Sequence, residues 1–142
     1  MILLDTDHIS VLKYENHPRS LRLQERLNVA SETEQIATTI ISIEEQLRGL
    51  LARIHSEHRL EVQIECYEQL ADLFEFFDRW DIIQFDSEAA DELVLLRQNR
   101  IRVGAHDMKI ASIALAQDAL LLSANIRDFN RVPGLRVEDW LS

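Results

Sequence analysis

Residues 2–7 are Ile2-Leu3-Leu4-Asp5-Thr6-Asp7, and this stretch sets the expected fold. Its three consecutive apolar residues predict a short strand that is buried on both faces, as strands of a parallel sheet are. The polar residues after them predict that a helix starts at once, with Thr6 or Asp7 as its N-cap. Two carboxylates are therefore expected just beyond the end of a buried strand.

The same alternation of short apolar strands and longer helical segments continues along the chain. Further strands are predicted near residues 35–38, 81–85, 120–122 and 135–137, and helices over residues 19–30, from Ser42, over 60–77, from Ser87 and from His106. Ser42 and Ser87 are the predicted N-caps of their helices. This alternation predicts an α/β fold with a mainly parallel central sheet flanked by helices, whose functional side chains gather beyond the carboxyl ends of the strands.

Two apolar stripes at helical spacing predict a helical hairpin in the middle of the chain. The first stripe comprises Leu47, Leu50, Leu51 and Ile54, and the second comprises Leu60, Ile64, Tyr67, Ala71, Phe74 and Phe77. Spacings of three and four residues place each stripe on one face of its helix. We expect the two helices to pack antiparallel, with the acidic residues of the second helix toward solvent. Cys66 is expected to be a packing residue on that helix.

The composition predicts one domain over residues 1–142, which is long enough to bury a core. Hydrophobic residues make up 46% and charged residues 28%, which excludes a disordered chain. No apolar run approaches the roughly 18 residues of a membrane span, and no secretory signal precedes Asp5. A single cysteine excludes an internal disulfide and a thiolate zinc cluster. Together these features predict a cytoplasmic protein with no membrane partner.

The formal net charge of −10 argues against nucleic-acid binding, because phosphate contacts require lysine and arginine. The charge is unevenly distributed, however. Residues 61–92 carry eleven acidic residues against one basic residue, Arg79, and the rest of the chain is neutral. From residue 93 onward basic residues outnumber acidic ones by seven to five. The acidity therefore excludes one face of the protein as a nucleic-acid surface, not the whole molecule.

Four separate segments place a carboxylate or amide where the predicted strand ends and helix starts meet. These side chains are Asp5, Glu45, Asp107 and either Asn125 or Asp128. Two carboxylates about 4 Å apart repel by roughly 4 kcal/mol at an effective dielectric near 20, so the cluster needs a positive partner. Arg48 is the nearest basic residue in sequence, and a divalent cation is the simpler partner. Oxygen ligands without a histidine or cysteine cluster predict Mg²⁺, with Mn²⁺ as a substitute.

Each acidic residue also has a purely structural explanation. Asp5 is placed to cap a helix, and Glu44, Glu45 and Asp107 lie near helix starts, where carboxylates interact favourably with the helix dipole. This explanation does not account for Asp107, because that residue shares an apolar helix face on which burying a carboxylate is costly. The residues alone therefore predict a metal site that hydrolyses phosphodiesters with an activated water.

Four stretches of the chain together resemble a known family. They are Ile2-Leu3-Leu4-Asp5-Thr6-Asp7 with Ser10; Ser42-Ile43-Glu44-Glu45-Gln46-Leu47-Arg48-Gly49; Gly104-Ala105-His106-Asp107 with Ile110-Ala111; and Leu122-Ser123-Ala124-Asn125-Ile126-Arg127-Asp128-Phe129 with Val132-Pro133-Gly134-Leu135. In this order and spacing they resemble the PIN domain, specifically the VapC-type toxin ribonucleases of bacterial toxin–antitoxin modules. No single stretch is specific, but the combination is, and it spans nearly the whole chain.

The resemblance implies a Mg²⁺-dependent endoribonuclease in which a metal-activated water attacks the RNA phosphate and leaves 5′-phosphate and 3′-hydroxyl ends. It implies these catalytic residues: Asp5, Glu45 and Asp107 as metal ligands, with Asn125 and Asp128 completing the shell. Glu45 is preferred to Glu44 because Gly49 stands four residues after it, as in the family motif. Thr6 and Ser123 match hydroxyl positions that line the site and contact substrate.

The chain departs from the family pattern at a few positions. Asp7 and His106 stand where many members have asparagine, and Asn125 is neutral, which weakens the case for a second metal. His106 is expected either to cap its helix or to touch substrate.

The resemblance also implies partners. It implies a cognate antitoxin that lays a segment across the cleft, a homodimer, and an acidic helical hairpin that lies away from the cleft. Separately from the resemblance, we predict that Arg97, Arg100 and Arg102 contact the RNA backbone, because they directly precede Asp107. A solvated helix end that complements the helix dipole explains these arginines equally well.

Two other functions remain open at this point. The Asp5-Thr6-Asp7 pattern is similar to the D-x-D motif of haloacid-dehalogenase-type phosphatases, in which the first aspartate is a covalent nucleophile. Ile9 does not fit that motif, and no lysine is placed to balance the charge. A non-catalytic PIN-like scaffold that only binds a partner protein is the other alternative. Whether transfer, ribosomal or messenger RNA is cut, and whether one or two metals bind, also stays open.

Overall fold

A computed structural model describes residues 1–142 as five strands and seven helices. In chain order these are β1 (Ile2–Leu4), α1 (Thr6–Leu12), α2 (Pro18–Ala30), β2 (Ile36–Thr39), α3 (Ile40–Ser56), α4 (Leu60–Asp78), β3 (Asp81–Ile83), α5 (Ser87–Gln98), α6 (Ala105–Ala116), β4 (Leu120–Leu122), α7 (Ile126–Phe129) and β5 (Arg136–Glu138). The predicted alternation of strands and helices is confirmed. None of the helices is both long enough and apolar enough to cross a lipid bilayer.

Strand β1 lies at the centre of a five-stranded sheet of order β3-β2-β1-β4-β5. Every neighbouring pair is parallel, and Leu3 pairs with Ala37 of β2 on one side and Leu121 of β4 on the other. Leu3 and Leu4 are wholly inaccessible to solvent, as the apolar triplet predicts. Because the strands are parallel, the carboxyl ends of β1, β2 and β4 meet at one edge of the sheet.

The side chains of β1 alternate between two apolar cores. Leu3 belongs to a core built with α5 and α6, whereas Ile2 and Leu4 belong to a second core built with α1, α2 and the end of α4. Burying one such side chain contributes about 1.5–3 kcal/mol. The two cores therefore hold the end of β1 firmly, and they fix the position of Asp5, which comes next.

The predicted N-caps are wrong by one to three residues. Asp5, not Thr6 or Asp7, caps α1, and its carboxylate accepts a hydrogen bond from Thr6 N–H. Thr39, not Ser42, caps α3, and Asp86, not Ser87, caps α5. In each case the helix begins directly at the end of the preceding strand or loop. The side chain of the residue before its first turn then satisfies a free N–H group, which is the usual role of an N-cap.

The predicted helical hairpin is confirmed as α3 and α4, which pack against each other on either side of a three-residue connection. Arg53 of α3 donates a hydrogen bond to the side-chain oxygen of Gln69 on α4, at 3.0 Å. Cys66 is completely buried, as expected of a packing residue.

The predicted inner face of α4 is wrong. The buried residues are Cys66, Leu73 and Phe77, whereas most of the predicted stripe faces solvent. Leu60 is 71% exposed, Ile64 60%, Tyr67 56% and Phe74 68%. The helix carries two overlapping apolar stripes at helical spacing, and the pattern alone does not say which one packs against α3. Phe77 is the only residue of the predicted stripe that is buried.

Candidate active site at the carboxyl edge of the sheet

Asp5 stands at the centre of the edge where β1 and β4 end. It is only 6% exposed. Its Oδ1 accepts a hydrogen bond from Thr6 N–H at 2.7 Å, and its Oδ2 accepts one from the Ser123 hydroxyl at 2.8 Å. Ser123 follows β4 directly, so the parallel pairing of β1 with β4 places this hydroxyl beside the carboxylate. Ser123 is thus where the family resemblance expects a hydroxyl that lines the site.

Glu45, rather than Glu44, is hydrogen-bonded to Thr6, the residue that follows Asp5. The Thr6 hydroxyl donates a hydrogen bond of 2.8 Å to Glu45 Oε2, which ties α3 to the start of α1. Glu44 instead pairs with Arg48, one turn along α3, at 2.7 Å. The structure therefore brings Glu45 and Thr6 to the site together. Arg48, the nearest basic residue in sequence, is occupied elsewhere.

Asp107, Asn125 and Asp128 form a second hydrogen-bonded group at this edge, joined to Asp5 through Ser123. The Asn125 side-chain nitrogen lies 3.1 Å from Asp107 Oδ2 and 3.2 Å from Asp128 Oδ2. An amide NH₂ has two hydrogens to donate, so one side chain serves both carboxylates. Asn125 is itself held by its backbone N–H, which donates to the Ser123 hydroxyl at 3.0 Å. All three sequence-predicted residues are therefore brought together, with Asn125 acting as a donor between two acids.

Two residues that the sequence did not assign to the site, Asp7 and His8, make hydrogen bonds beside it. Asp7 accepts a hydrogen bond from Ala124 N–H at 2.9 Å, and its other oxygen lies 2.6 Å from His8 Nδ1. His8 is completely buried and accepts a hydrogen bond from Trp140 N–H at Nε2, so its Nδ1 carries the proton donated to Asp7. Ala124 and Trp140 are more than a hundred residues from their partners Asp7 and His8, and no local sequence pattern predicts these contacts.

His106 also lies against the two glutamates. Its ring nitrogens are 3.6 Å from Glu44 Oε1 and 3.8 Å from Glu45 Oε1. The cap of α6 is Gly104, so the expectation that His106 caps this helix is wrong. It lies instead at the mouth of the site, half-buried.

The pKa values of the carboxylates at this edge are shifted by burial and by the neighbouring charges. Burial raises the pKa of Asp5 to about 6, against the hydrogen bond from Ser123, and the charges of Asp7 and Asp107 raise it further. Burial likewise raises the pKa of Asp107, with contributions from Glu45 and Asp128. Burial opposes ionisation of Asp7 as well, but hydrogen bonds from His8 and Ala124 hold its pKa below the ordinary value. Raised pKa values of neighbouring carboxylates are typical of functional sites that lack a counter-charge.

The donor set fits a hard divalent cation. The converging ligand atoms are carboxylate and hydroxyl oxygens, which Mg²⁺ and Mn²⁺ prefer, and no cysteine lies among them. The charge of Asp107 disfavours ionisation of Asp5, and the charges of Glu45, Asp128 and Asp7 disfavour ionisation of Asp107. No arginine or lysine forms an ion pair with either carboxylate. The side chains do not form a finished cage, because no three acidic, histidine or cysteine residues converge at ligand distances.

The three predicted RNA-contacting arginines lie apart from this hydrogen-bonded cluster. Arg97 is in the last turn of α5, and Arg100 follows it with a backbone φ of 55°. Arg102 offers only its backbone carbonyl, which accepts a hydrogen bond from Arg131. All three side chains are exposed, and none pairs with a carboxylate of the site.

A cavity of about 690 Å³ opens beside Glu45, between the end of α1 and the helical hairpin. Asp72 and Glu75 of α4 line it together with Glu45. The expectation that the acidic hairpin lies away from the cleft is therefore wrong for this face of α4. The reason is that α4 folds back along α3, so its second half reaches the level of Glu45.

Comparisons with known proteins agree with this geometry. The PIN domain family matches residues 2–135 of the chain. The chain is 30% identical to the tRNA(fMet)-specific endonuclease VapC of Shigella flexneri and 30% identical to the ribonuclease VapC2 of Rickettsia felis, in both cases over 97% of this chain and 96% of the relative. The crystal structure of VapBC2 from Rickettsia felis bound to a promoter DNA fragment superposes with a TM-score of 0.68 at 28% identity, covering 99% of both chains.

Fold, spacing and site therefore agree over almost the whole chain. Asp5, Glu45 and Asp107 lie at the carboxyl edge of a parallel sheet whose family match extends from β1 to the residue before β5. The protein belongs to the PIN-domain family, among the VapC ribonucleases.

Proposed function

We propose that this protein is a metal-dependent endoribonuclease and the toxin of a toxin–antitoxin pair. The observation that carries the proposal is the gathering of Asp5, Glu45 and Asp107 at one edge of the sheet, where Asp5 and Asp107 have raised pKa values. In a protein that only binds a partner, such a cluster would lower the stability, because no interaction would compensate for burying the charges. Its cost is offset when a cation and a phosphodiester occupy the edge.

Asp5, Glu45 and Asp107 would hold Mg²⁺, with Mn²⁺ as a substitute. When bound, the ion activates a water molecule and stabilises the charge that develops on the phosphodiester oxygens. Asn125 and Asp128 would complete the surroundings of the ion, and the Asn125 amide holds the carboxylates of Asp107 and Asp128 together. Thr6 fixes the side chain of Glu45, and Ser123 fixes that of Asp5. These hydroxyls keep the carboxylates in place before substrate arrives, so little reorganisation is needed during the reaction.

RNA is the proposed substrate, and transfer RNA is the class to test first. The Shigella flexneri relative is named for specificity toward initiator transfer RNA. Arg97, Arg100 and Arg102 are exposed and free of carboxylate partners, which suits contacts with a folded RNA backbone. The acidic outer surface of residues 61–92 is unsuited to that role.

The proposed antitoxin partner has a matching surface on α4. Leu60, Ile64, Tyr67 and Phe74 form an exposed apolar stripe, and acidic residues of the same helix flank it. An amphipathic segment with basic edges complements such a stripe in both apolarity and charge. For the proposed homodimer we propose a separate apolar contact on α5, because Val94 is 49% and Leu95 51% exposed. The VapBC2 complex of Rickettsia felis, whose toxin this chain resembles, supports an antitoxin partner.

Cleavage of total cellular RNA by the purified, antitoxin-free protein tests the proposal. The reaction is run with Mg²⁺, with Mn²⁺ and with EDTA, beside Asp5→Asn and the matched control Asp91→Asn, which removes an exposed acid of α5. We expect discrete products with 5′-phosphate ends in either metal, and none with EDTA or Asp5→Asn.

Two outcomes would replace the proposal. If no metal supports cleavage while both proteins stay folded and bind a partner, the protein is a non-catalytic scaffold. If a phosphomonoester is hydrolysed through a covalent Asp5 intermediate, it is a phosphatase of the D-x-D type. Ile9, which stands where the D-x-D motif requires a different residue, is buried in the second core and has a packing role.

A further inference from the structure

His8 of α1 is completely buried, and both nitrogens of its ring have a partner. Its Nε2 accepts a hydrogen bond of 3.1 Å from the backbone N–H of Trp140, and its Nδ1 lies 2.6 Å from Asp7 Oδ1. A neutral imidazole that accepts at one nitrogen donates at the other, so His8 donates to the Asp7 carboxylate. We call these two hydrogen bonds, from Trp140 through His8 to Asp7, the His8 link.

One end of the His8 link holds the loop that follows β4. Asp7 Oδ2 accepts a hydrogen bond from Ala124 N–H at 2.9 Å and lies 3.4 Å from the Ser123 hydroxyl. That hydroxyl donates to Asp5 at 2.8 Å and accepts from the backbone N–H of Asn125 at 3.0 Å. The position of the Asp7 carboxylate therefore sets where this loop places the side chains that contact the proposed metal ligands.

The other end of the His8 link lies in the segment Asp139–Leu141, which follows β5. Trp140 packs against the second core, and the Arg26 guanidinium lies 4.1 Å from the centre of its ring. Asp139 Oδ1 is 3.7 Å from His8 Nε2, which is too far for a hydrogen bond, and it accepts the backbone N–H two residues along the chain at 2.8 Å. The packing of this segment thus fixes the Trp140 N–H against His8.

The hydrogen bonds of His8 supply a directional constraint that apolar packing does not. Ile9 and Leu12 already provide the apolar contacts of α1 with the second core. Such contacts are non-directional, whereas hydrogen bonds hold their partners at defined distances and angles. Burying an imidazole costs free energy unless its nitrogens are hydrogen-bonded, and here both are. What His8 adds to the fold is therefore the orientation of a carboxylate beside the active site.

We propose that His8 is a positioning residue of the active site, which couples the packing of residues 139–141 to the position of residues 123–125. This inference rests on the proposed ribonuclease function and adds a support for the metal ligands that lies outside the cleft. His8 itself touches neither RNA nor metal, because it is completely buried and both of its nitrogens are occupied. Loss of the His8 link therefore lowers kcat and leaves KM nearly unchanged.

Amide hydrogen exchange in EDTA tests the coupling without RNA or metal. Trp140→Pro removes the N–H that begins the His8 link, and Trp140→Phe, which keeps that N–H and an aromatic ring, is the matched control. We expect Trp140→Pro to speed exchange of the Ala124 N–H at least about threefold and Trp140→Phe to leave it unchanged. The Ala119 N–H, which donates to the Ala114 carbonyl elsewhere in the fold, should exchange at the same rate in all of these proteins.

Substitution of His8 tests the link from its middle. His8→Asn places an amide at the position of Nδ1 and His8→Gln places one at the position of Nε2, so each variant keeps one of the two hydrogen bonds. Each should lower the kcat of RNA cleavage about tenfold, with KM changed by less than about twofold. His55→Gln changes an exposed histidine of α3 and should leave kcat unchanged. In the His8→Asn background, Trp140→Pro should bring no further loss of kcat, because the bond that it removes is already absent.

Faster exchange of the Ala124 N–H alone, with a loss of kcat at constant KM, supports the proposal. Equal acceleration at Ala124 and Ala119 overturns it, because a purely structural role would move both amides. An unchanged Ala124 rate in Trp140→Pro, or losses of kcat that multiply in the double variant, overturns it as well. If the His8 variants do not fold, the exchange comparison of Trp140→Pro with Trp140→Phe decides alone. Failure of the unmodified protein to cleave RNA would overturn the proposed function, whereas the exchange rates in EDTA would still decide the coupling.

Discussion

Asp5, at the carboxyl edge of the sheet, is 6% exposed, whereas Phe74, on helix α4, is 68% exposed. A carboxylate is thus more buried than a large aromatic side chain in the same chain. At the sheet edge, polar groups are enclosed and their charges repel, so the pKa of Asp5 rises to about 6. On α4, apolar groups lie in water beside a well-packed row that includes Phe77, at 6% exposure.

Both regions are less favourable in the isolated chain than they are with a ligand bound. Buried carboxylates without a counter-charge cost free energy, and an exposed apolar stripe gains none from the hydrophobic effect. A cation offsets the first cost and an apolar partner surface offsets the second. The sheet edge therefore favours a cation and the α4 stripe favours an apolar surface, which are the ligands proposed for them.

The largest expected effect separates the two glutamates of α3. Glu45→Gln should lower the rate of RNA cleavage by about 10²–10³-fold, since it removes a proposed metal ligand held by Thr6. Glu44→Gln should lower it by no more than a few-fold, because the carboxylate of Glu44 is already paired with Arg48. Initial cleavage rates in Mg²⁺ measure both variants. Equal losses would mean that the two carboxylates share one role.

Two phenylalanines of α4 provide the next test. Phe77→Ala should lower the free energy of unfolding by about 3–5 kcal/mol because it opens a cavity in the second core. Phe74→Ala should change it by less than about 0.5 kcal/mol, as expected for an exposed position. Urea denaturation of the isolated protein measures both values. A large loss for Phe74→Ala would show that the exposed stripe is already covered, for example by a second copy of the chain.

The stability of the metal-free protein should depend on pH in a direction set by Asp5. Its pKa is about 6 in the folded protein and 3.8 in the unfolded chain, so the folded state binds more protons between these values. Raising the pH from below 3.8 to well above 6 therefore lowers the free energy of unfolding, by up to about 3 kcal/mol from this group. Asp107 acts in the same direction. Thermal melts in EDTA across this range should show the fall in the unmodified protein, and a smaller one in Asp5→Asn.

A smaller effect is expected at the amide between two acids. Asn125→Asp should destabilise the metal-free protein by about 1–2 kcal/mol, because Asp107 and Asp128 lose their shared donor and gain a like charge. Asn130→Asp adds the same charge at an exposed position and is the control. Thermal melts in EDTA measure the difference. Equal Tm values for the two variants would show that Asn125 does not hold the acids together.

Much of the sheet edge was predictable, because its signals are local. An apolar triplet followed by Asp5 defines a strand end, and parallel pairing brings Ser123 and Asn125 to the same place. Helix α4 was predicted wrongly in detail, since its sequence supports two apolar stripes and only packing selects one. The contacts of Asp7 with Ala124, and of His8 with Trp140, were missed because they join residues more than a hundred positions apart.

The cavity beside Glu45 was also beyond sequence patterns. In the sequence, Gly49 only helps to choose Glu45 over Glu44, because it stands four residues after Glu45. The structure adds that a Cβ at this position would meet no atom within 4 Å. Lys13 and Arg79 are far apart in sequence and meet at one cavity only because α4 folds back along α3.

Thermal melting of the protein in EDTA and in Mg²⁺, beside Asp5→Asn and the control Asp91→Asn, tests most directly whether the sheet edge is built to hold a cation. We expect Mg²⁺ to raise the Tm of the unmodified protein and of Asp91→Asn, because the ion offsets the repulsion between Asp5 and Asp107. Asp5→Asn should show little or no rise. If Mg²⁺ leaves the Tm of the unmodified protein unchanged, or raises that of Asp5→Asn equally, the carboxylates at this edge do not form a metal site.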